Sequence, residues 1–221
     1  MESRTTDRYY EKGYHATHFK ELNTDEEYFQ ARAVTSAEFY FNPEERARRI
    51  FDYGCGMGQS IAALPNAAGW DVSPEAREAC RRRHLTVFDD LADVPKAEWE
   101  IVFCRHVLEH LERPLDTLRS IRELIAPGGE IYLILPKEDF DTPGIAPDVN
   151  QHLYCWNFQA LNNLLFRAGY KPYVNEYRYM LGWKALMPVR RALGQKAYFH
   201  LTKLGGLARR NGELLVRARP A

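Results

Sequence analysis

The sequence predicts an α/β domain with a parallel sheet, and three observations support this fold class. Short apolar segments alternate with amphipathic, helix-like segments from about residue 48 onward. The apolar segments contain few polar residues, which is typical of strands that are covered on both faces. The first of them runs directly into a glycine-rich segment, Gly54-Cys55-Gly56-Met57-Gly58, as strands at the ligand-binding edge of a parallel sheet often do.

The individual strands and helices follow from this alternation. Strands are predicted at 48–54, 67–72, 85–90, 99–105, 130–136, 170–180 and 212–219. Apolar residues after Pro114 recur on one helical face, and the Pro127-Gly128-Gly129 turn is expected to end that helix. A second amphipathic helix is predicted at 158–170, where Gly169 supplies the stop signal.

The two ends of the chain differ from this alternating region. The first 48 residues are polar and aromatic, and Asp25 is placed to cap a helix, which predicts an N-terminal helical cap. Near the other end, one or two basic amphipathic helices are expected as an insert, broken at Pro188 and at Gly205-Gly206. The predicted division into cap, core and insert is therefore 1–48, 49–180 with 212–221, and 181–211.

Composition and charge limit the possible partners. The 221 residues carry 30 Lys and Arg against 30 Asp and Glu, and 45% of them are hydrophobic, which argues for a folded chain with a sizeable core. The charge is uneven, since residues 181–212 contain seven Lys and Arg and no acidic residue. This segment is a possible surface for an anionic lipid or a phosphate-bearing substrate. Nucleic acid is a less favoured partner, because no recognisable nucleic-acid-binding module accompanies the segment.

No membrane span, secretory signal or metal site is expected. The longest apolar run, Ile131 to Leu135, is far shorter than the roughly 18 residues of a membrane span. The first 25 residues lack the apolar stretch of a signal peptide. We therefore expect a cytoplasmic protein, peripheral to a membrane if the insert binds lipid. The cysteines form no CxxC pair, and no Cys/His cluster has zinc-ligand spacing.

Polar residues follow the ends of four successive predicted strands. The first strand leads through Asp52 into the glycine-rich segment, the second ends at Asp71, and the third ends at Asp89 and Asp90. The fourth ends in Cys104-Arg105-His106. The carboxyl ends of parallel strands meet at one edge of a sheet, where ligands bind, and a carboxylate there can accept the hydroxyls of a ribose. The spacing G-x-G-x-G differs from the dinucleotide pattern G-x-G-x-x-G, which disfavours a nicotinamide-dependent oxidoreductase.

The segments FDYGCGMGQS, GWDVS, FDDL, FCRHVLEHLERP and LIAPGGEIYLILP, in this order, resemble the class I S-adenosylmethionine-dependent methyltransferases. The resemblance spans roughly residues 48 to 170 and is similar to small-molecule enzymes such as the ubiquinone-biosynthesis and glycan-modifying members. It implies a Rossmann-like, seven-stranded sheet whose last strand is antiparallel, with S-adenosylmethionine as cofactor and S-adenosylhomocysteine as product. Two features depart from the family. The helix after the glycines, Gln59 to Leu64, is short, and no glycine precedes the acid of the third strand.

The resemblance also implies which residues hold the cofactor. Asp52 would hold the ammonium group, and Asp71 would bind the ribose hydroxyls with Val72 against adenine. The methionine portion would lie against the backbone of Gly54, Cys55, Gly56 and Gly58. Either Asp89 or Asp90 would accept from the adenine amine, with Leu91 beside the ring. The floor near the sulfonium would be lined by Cys104, Arg105 and His106.

Methyl transfer is an in-line displacement, in which a protein mainly aligns donor and acceptor. An oxygen acceptor can also need a base that removes its proton, and histidine suits that task. The candidates are His152, in the loop after the fifth strand, and His106, beside the fourth. His110 with Glu109 is expected to pack and hydrogen-bond at a strand–helix junction, and a metal pair of His106 and His110 is the alternative.

The residues expected on the substrate side are Tyr14, Tyr28, His152 and Tyr154. We expect the N-terminal aromatic residues to form the core of the cap. The alternative is a lid in which Tyr14, Tyr28 or Phe29 shields the sulfonium through cation–π contact. The expected function is transfer of a methyl group from S-adenosylmethionine to a small molecule, at an oxygen. The alternatives are a peptide or RNA methyltransferase and a non-catalytic protein that binds S-adenosylmethionine.

Overall fold

The computed structural model describes residues 20–138, 150–182 and 184–221. Among these, seven strands form one sheet in the order β3-β2-β1-β4-β5-β7-β6, with β7 antiparallel to β5. The predicted seven-stranded fold with an antiparallel last strand is therefore confirmed. The strands are β1 Ile50–Tyr53, β2 Ala67–Trp70, β3 Thr86–Val87, β4 Trp99–Arg105, β5 Ile125–Pro136, β6 Tyr170–Tyr179 and β7 Gly212–Pro220. The helices are α1 Lys20–Thr24, α2 Glu26–Tyr40, α3 Pro74–Arg82, α4 Pro114–Leu124, α5 Phe158–Arg167 and α6 Met187–Ala208.

The chain divides into two compact units. The first unit comprises Met1–Val94 and Tyr179–Gly212, and the second comprises Pro95–Arg178 and Glu213–Ala221. The division into cap, core and insert made from the sequence remains a prediction based on patterning.

In the first unit, β1 and β3 both pair in parallel with β2. Every residue of β1 is buried, which explains why this strand reads as an apolar run in the sequence. After β2 the chain turns into α3, whose first turn contains Pro74 and whose cap is Ser73, accepting from the Ala76 N–H at 3.3 Å. Pro at the first position and Ser at the cap are both favourable at a helix start.

The helix expected after the glycine-rich segment does not form. The residues from Gln59 to Leu64 make turns instead, in which Ala62 N–H donates to the Gly58 carbonyl at 3.0 Å and Leu64 N–H to the Ile61 carbonyl at 2.9 Å. Pro65 follows at once and has no N–H with which to continue a helix. The glycine-rich segment therefore does not lead into a helix N-terminus.

The sequence analysis also predicted the helices α2 and α6 of the first unit, but it placed the breaks of α6 at the wrong residues. Asp25 caps α2 as predicted, accepting from the Tyr28 N–H at 3.0 Å. In α6, Pro188 lies in the first turn, and the helix continues through Gly205 and Gly206. Gly206 fits there because a Cβ would lie 2.5 Å from the Met180 backbone nitrogen. The break falls at Gly194, whose φ of 84° and ψ of 177° belong to a region that glycine alone adopts readily.

In the second unit, β4 and β5 pair in parallel and β5 pairs with β7 in antiparallel orientation. Strand β4 has its predicted bounds, whereas β5 begins at Ile125 and runs through the Pro-Gly-Gly turn, with a register irregularity between Trp99 and Ile101. The helix after Pro114 ends at Leu124, earlier than predicted, because Ile125 and the Pro-Gly-Gly turn already belong to β5. Helix α5 is capped by Asn157, which accepts from the Ala160 N–H at 2.9 Å.

No helix in the described part of the chain is both long and apolar enough to cross a bilayer.

The backbone at Gly58 gives a first prediction. Gly58 has a φ of 84°, and a Cβ there would lie 2.4 Å from Leu85 Cδ1 and 3.0 Å from Cys80 Sγ. We expect Gly58→Ala to lower the free energy of unfolding by about 2–3 kcal/mol in urea titrations, from backbone strain plus overpacking. Gly128→Ala is the matched control, since its φ is 76° and a Cβ would meet nothing within 4 Å. Equal losses in the two variants would contradict the role of close packing at Gly58.

Candidate active site

Asp71 joins the glycine-rich segment to the start of α3. It follows β2 and is buried, with 6% of its surface exposed. Its Oδ2 accepts from the Gly56 N–H at 2.8 Å, and its Oδ1 accepts from the Ser73 N–H at 2.9 Å. A carboxylate has about four acceptor positions, two on each oxygen. The sequence predicted Asp71 as a ribose ligand but gave no sign that it also holds the glycine-rich segment.

The glycine-rich segment is tightly folded against its own unit. Its three glycines, Gly54, Gly56 and Gly58, all have positive φ, the conformation that glycine adopts without strain. Cys55 is buried, and the Cys80 thiol donates to the Gly56 carbonyl at 3.4 Å. Proximity to Cys80 and burial raise the pKa of Cys55 well above its usual value. The Cys55 thiol is therefore a protonated packing group and not a nucleophile. Asp52, also expected at the cofactor, is buried in β1.

The two acids after β3 have different environments. The exposed Asp89 forms an ion pair with Arg81 and has Arg77 Nε at 3.8 Å. Asp90 accepts from the Ala92 N–H at 2.9 Å and thereby caps the 3₁₀ turn Leu91–Asp93. Leu91 is half-buried in that turn, and Val72, beyond β2, is half-buried as well. The choice of Asp89 or Asp90 as adenine partner stays open.

Two aromatic residues near the start of α2 belong to a core cluster. Tyr28 and Phe29 are buried together with Leu22, Ala31, Met57, Ala79, Met187 and Tyr198. The Arg83 guanidinium lies over the Phe29 ring, 3.9 Å from its centre. The cation–π contact of this ring is therefore made with an arginine side chain of the same unit. Burial also raises the pKa of Tyr28. Tyr14 lies outside the described residues.

In the second unit, His106 is held between two carboxylates. Its Nε2 lies 2.7 Å from Glu213 Oε1 and its Nδ1 lies 3.3 Å from Glu109 Oε1. Arg105 also donates to Glu213, through Nη2 at 2.7 Å. Burial and the Arg105 charge lower the pKa of His106, but the contacts with Glu109 and Glu213 outweigh them and the pKa is raised. The preceding Cys104 is buried within β4.

The sequence did not foresee how these residues continue into a larger cluster. Glu109 is fully buried, and His110 Nε2 lies 3.9 Å from its Oε1. The His110 and His152 rings meet edge to face, with their centres 4.7 Å apart. The Leu153 N–H donates to the Glu109 carbonyl oxygen at 2.8 Å, which ties the His152 segment to Glu109.

Glu138 is a further residue that the sequence analysis missed. Its carboxylate contacts His152 Nδ1. In the sequence, only the adjacent Glu109 and His110 after β4 and the isolated His152 could have indicated this cluster. Their spacing in the chain did not link any of them to Glu138. Tyr154, which was expected on the substrate side, stacks on Trp156 with the two ring centres 5.3 Å apart. Its hydroxyl donates to the Glu112 carbonyl oxygen at 3.3 Å.

Known proteins share both the sequence pattern and the fold. Residues 24–175 match the methyltransferase domain family. The ubiquinone biosynthesis O-methyltransferases of Methylococcus capsulatus and Aromatoleum aromaticum are 33% and 28% identical to the chain over 99 and 107 residues. These alignments cover 38% and 42% of this chain and 42% and 46% of the relatives, so the chain spans less than half the length of the curated proteins it matches.

Solved structures agree on the fold. A chain from the complex of the Haloferax volcanii Trm112 methyltransferase activator with a methyltransferase has 16% identity and a TM-score of 0.62, and the match covers 98% of this chain and 97% of that chain. The Burkholderia thailandensis 1,6-didemethyltoxoflavin-N1-methyltransferase, bound to S-adenosylhomocysteine, has 16% identity and a TM-score of 0.55, over 94% and 84% of the two chains. The family match covers more than half of the chain, and the chain therefore belongs to the methyltransferase domain family.

Proposed function

We propose that the chain transfers a methyl group from S-adenosylmethionine to a hydroxyl oxygen of a small molecule. The observation that carries the proposal is Asp71, a buried carboxylate at the carboxyl end of β2 that also binds the Gly56 N–H. The choice of oxygen is supported by the curated relatives, which are named O-methyltransferases.

The side chains around the glycine-rich segment suit this cofactor. Bound S-adenosylmethionine supplies a methyl group on a positively charged sulfur. Asp52 would hold its ammonium group, and the Asp71 carboxylate at the end of β2 would receive the ribose hydroxyls. The three positive-φ glycines keep side chains away from the backbone, so that a ligand can approach it closely. Asp89 or Asp90 would accept from the adenine amine.

Replacing Asp71 tests the cofactor half of this proposal. Asp71→Asn removes the negative charge and replaces one acceptor oxygen by an NH₂ donor, so we expect S-adenosylmethionine to bind about tenfold more weakly or worse in calorimetry, a loss of about 1.4 kcal/mol or more. Asp93→Asn is the control, because Asp93 is an exposed acid in the neighbouring 3₁₀ turn. Circular dichroism would confirm that both variants fold. Equal affinities for the two variants would contradict the assignment of Asp71.

The acceptor half of the proposal rests on His152. The two carboxylates beside His106 stabilise its protonated form, which cannot accept another proton. His152 is positioned by Glu138, so one ring nitrogen is engaged and the ring orientation is set. We therefore assign activation of the acceptor hydroxyl to the cluster that contains His152, and a positioning role to His106.

His152→Ala separates acceptor activation from cofactor binding. Loss of the group that activates the hydroxyl should lower turnover by about 100-fold or more, while the calorimetric affinity for S-adenosylmethionine stays unchanged. Turnover would be followed as S-adenosylhomocysteine formed with a panel of small hydroxyl-bearing acceptors. His200→Ala, an exposed histidine on α6, is the control. An unchanged rate in His152→Ala with any accepted substrate would remove His152 from the mechanism. Cofactor binding without product from any acceptor would favour a non-catalytic binding protein.

We also propose that α6 contacts an anionic lipid surface, which would make the protein peripheral to a membrane. Four leucines of the helix are exposed: Leu193, Leu201, Leu204 and Leu207. Within the described part of the chain, Lys196 and Lys203 on the same helix form no ion pair, whereas Arg191 pairs with Glu27 at 2.6 Å. Exposed apolar residues beside unpaired lysines suit the interface of a bilayer with anionic headgroups.

Vesicle sedimentation tests the lipid surface. Phosphatidylglycerol vesicles should sediment the protein and phosphatidylcholine vesicles should not. The double variant Lys196→Glu/Lys203→Glu should bind the anionic vesicles about tenfold more weakly or worse. The control Arg82→Glu/Lys171→Glu makes the same change in net charge at two other exposed positions and should bind like the wild type. Equal sedimentation with neutral vesicles, or none with either kind, would contradict the proposal.

A further inference from the structure

A second chemical feature of the second unit is a cluster of three side chains with metal-binding atoms. Glu109, His110 and His152 each offer one such atom, and these atoms all lie within 4.8 Å of one another. Three ligands of a tetrahedral zinc ion, each at about 2.0–2.1 Å from the metal, lie about 3.4 Å apart. Small side-chain rotations would therefore bring the three atoms onto a single ion.

The burial of Glu109 is the observation that most needs an explanation. Its side chain is completely shielded from solvent, and among the described residues neither carboxylate oxygen accepts a hydrogen bond of normal geometry. Its ionic contacts are with imidazoles, His106 Nδ1 at 3.3 Å and His110 Nε2 at 3.9 Å. A buried carboxylate is costly unless it is paired or coordinates a metal. A cation at the cluster would give Glu109 a further partner besides His106.

The two histidine ligands lie side by side, since their rings meet edge to face with the centres 4.7 Å apart. Glu138 holds Nδ1 of His152, which leaves Nε2 as the ligand atom. A carboxylate behind a histidine ligand is the usual second-layer arrangement of metal sites, since it fixes the ring and increases its basicity.

We propose that Glu109, His110 and His152 bind a divalent transition-metal cation, for which Zn²⁺ is the reference ion. Two imidazoles and one carboxylate are the donors of catalytic zinc sites, which keep a fourth position open for water or substrate. Imidazole donors favour zinc and its neighbours over Mg²⁺ and Ca²⁺, which prefer oxygen ligands throughout. The sequence analysis expected no metal, because no Cys/His cluster has zinc-ligand spacing and His152 is far in the chain from the adjacent Glu109 and His110.

This inference rests on the proposed function and makes it more specific. A bound cation lowers the pKa of a hydroxyl that occupies its open position. The acceptor hydroxyl would then lose its proton to solvent, and His152 would act as a metal ligand and not as the base. The substrate class that follows is a small molecule whose hydroxyl can bind a metal ion.

Metal binding is measured directly on the full-length, untagged chain after treatment with a chelator. Zn²⁺ is titrated against a chromophoric competitor, and Co²⁺ is used to record the absorption bands of a four-coordinate site. Wild type and the control His200→Ala should each bind one Zn²⁺ with equal affinity. His152→Ala and Glu109→Gln should bind at least about tenfold more weakly. Glu109 is buried, so Glu109→Gln can fail to fold. In that case the Zn²⁺ affinity of His152→Ala alone tests the metal site.

Failure of this inference can be distinguished from failure of the proposed function. Equal Zn²⁺ affinity in wild type and His152→Ala, or no stoichiometric binding by wild type, would overturn the metal site. The metal-free chain is then titrated with S-adenosylmethionine in a calorimeter and assayed for methyl transfer. Cofactor binding and full turnover without any metal would also overturn the inference while leaving the function intact. Absence of cofactor binding would overturn the proposed function whatever the Zn²⁺ result.

Discussion

The pair of hydrogen bonds that Asp71 accepts from the Gly56 and Ser73 N–H groups is the interaction on which the proposed cofactor site depends. In many parallel sheets a helix follows the glycine turn and its first N–H groups face the ligand. Here the segment after the glycines consists of turns, and Pro65, which has no N–H to donate, prevents a helix from continuing. The carboxylate of Asp71 replaces that support, since it fixes the glycine backbone to the start of α3.

The second unit relies on buried carboxylates as well, with histidine and arginine as their partners. Glu213 receives Arg105 and His106, while Glu109 lies between His106 and His110. The same arrangement separates the histidines by charge state. Two carboxylates favour the protonated form of His106, whereas burial favours the neutral form of His110. A neutral histidine can bind a metal or accept a proton, and a protonated one can do neither. Since the protonated form of His106 is favoured, activation of the acceptor is assigned to the part of the cluster that contains His152, which Glu138 positions.

The sequence predicted the fold well because the evidence for it is local. Strand β4 and the cap of α2 follow from apolar runs and a single capping residue, and the order of the motifs indicates the family. One failure has a local cause and another has a tertiary cause. The sequence analysis placed the breaks of α6 at Pro188 and Gly205-Gly206, whereas the break lies at Gly194. Pro188 does not break the helix because proline is tolerated in a first turn, and the helix continues through closely packed glycines such as Gly206. The cluster around Glu109 could not be predicted, because His152 and Glu138 meet it only through tertiary contacts.

A crystal structure of the chain grown with S-adenosylhomocysteine tests the central claim most directly. The account predicts that the ribose hydroxyls of the bound product donate to Asp71 and that its amino-acid portion lies against the backbone of Gly54, Gly56 and Gly58. A product bound without contact to Asp71 or these glycines, or no bound product at a saturating concentration, would contradict it.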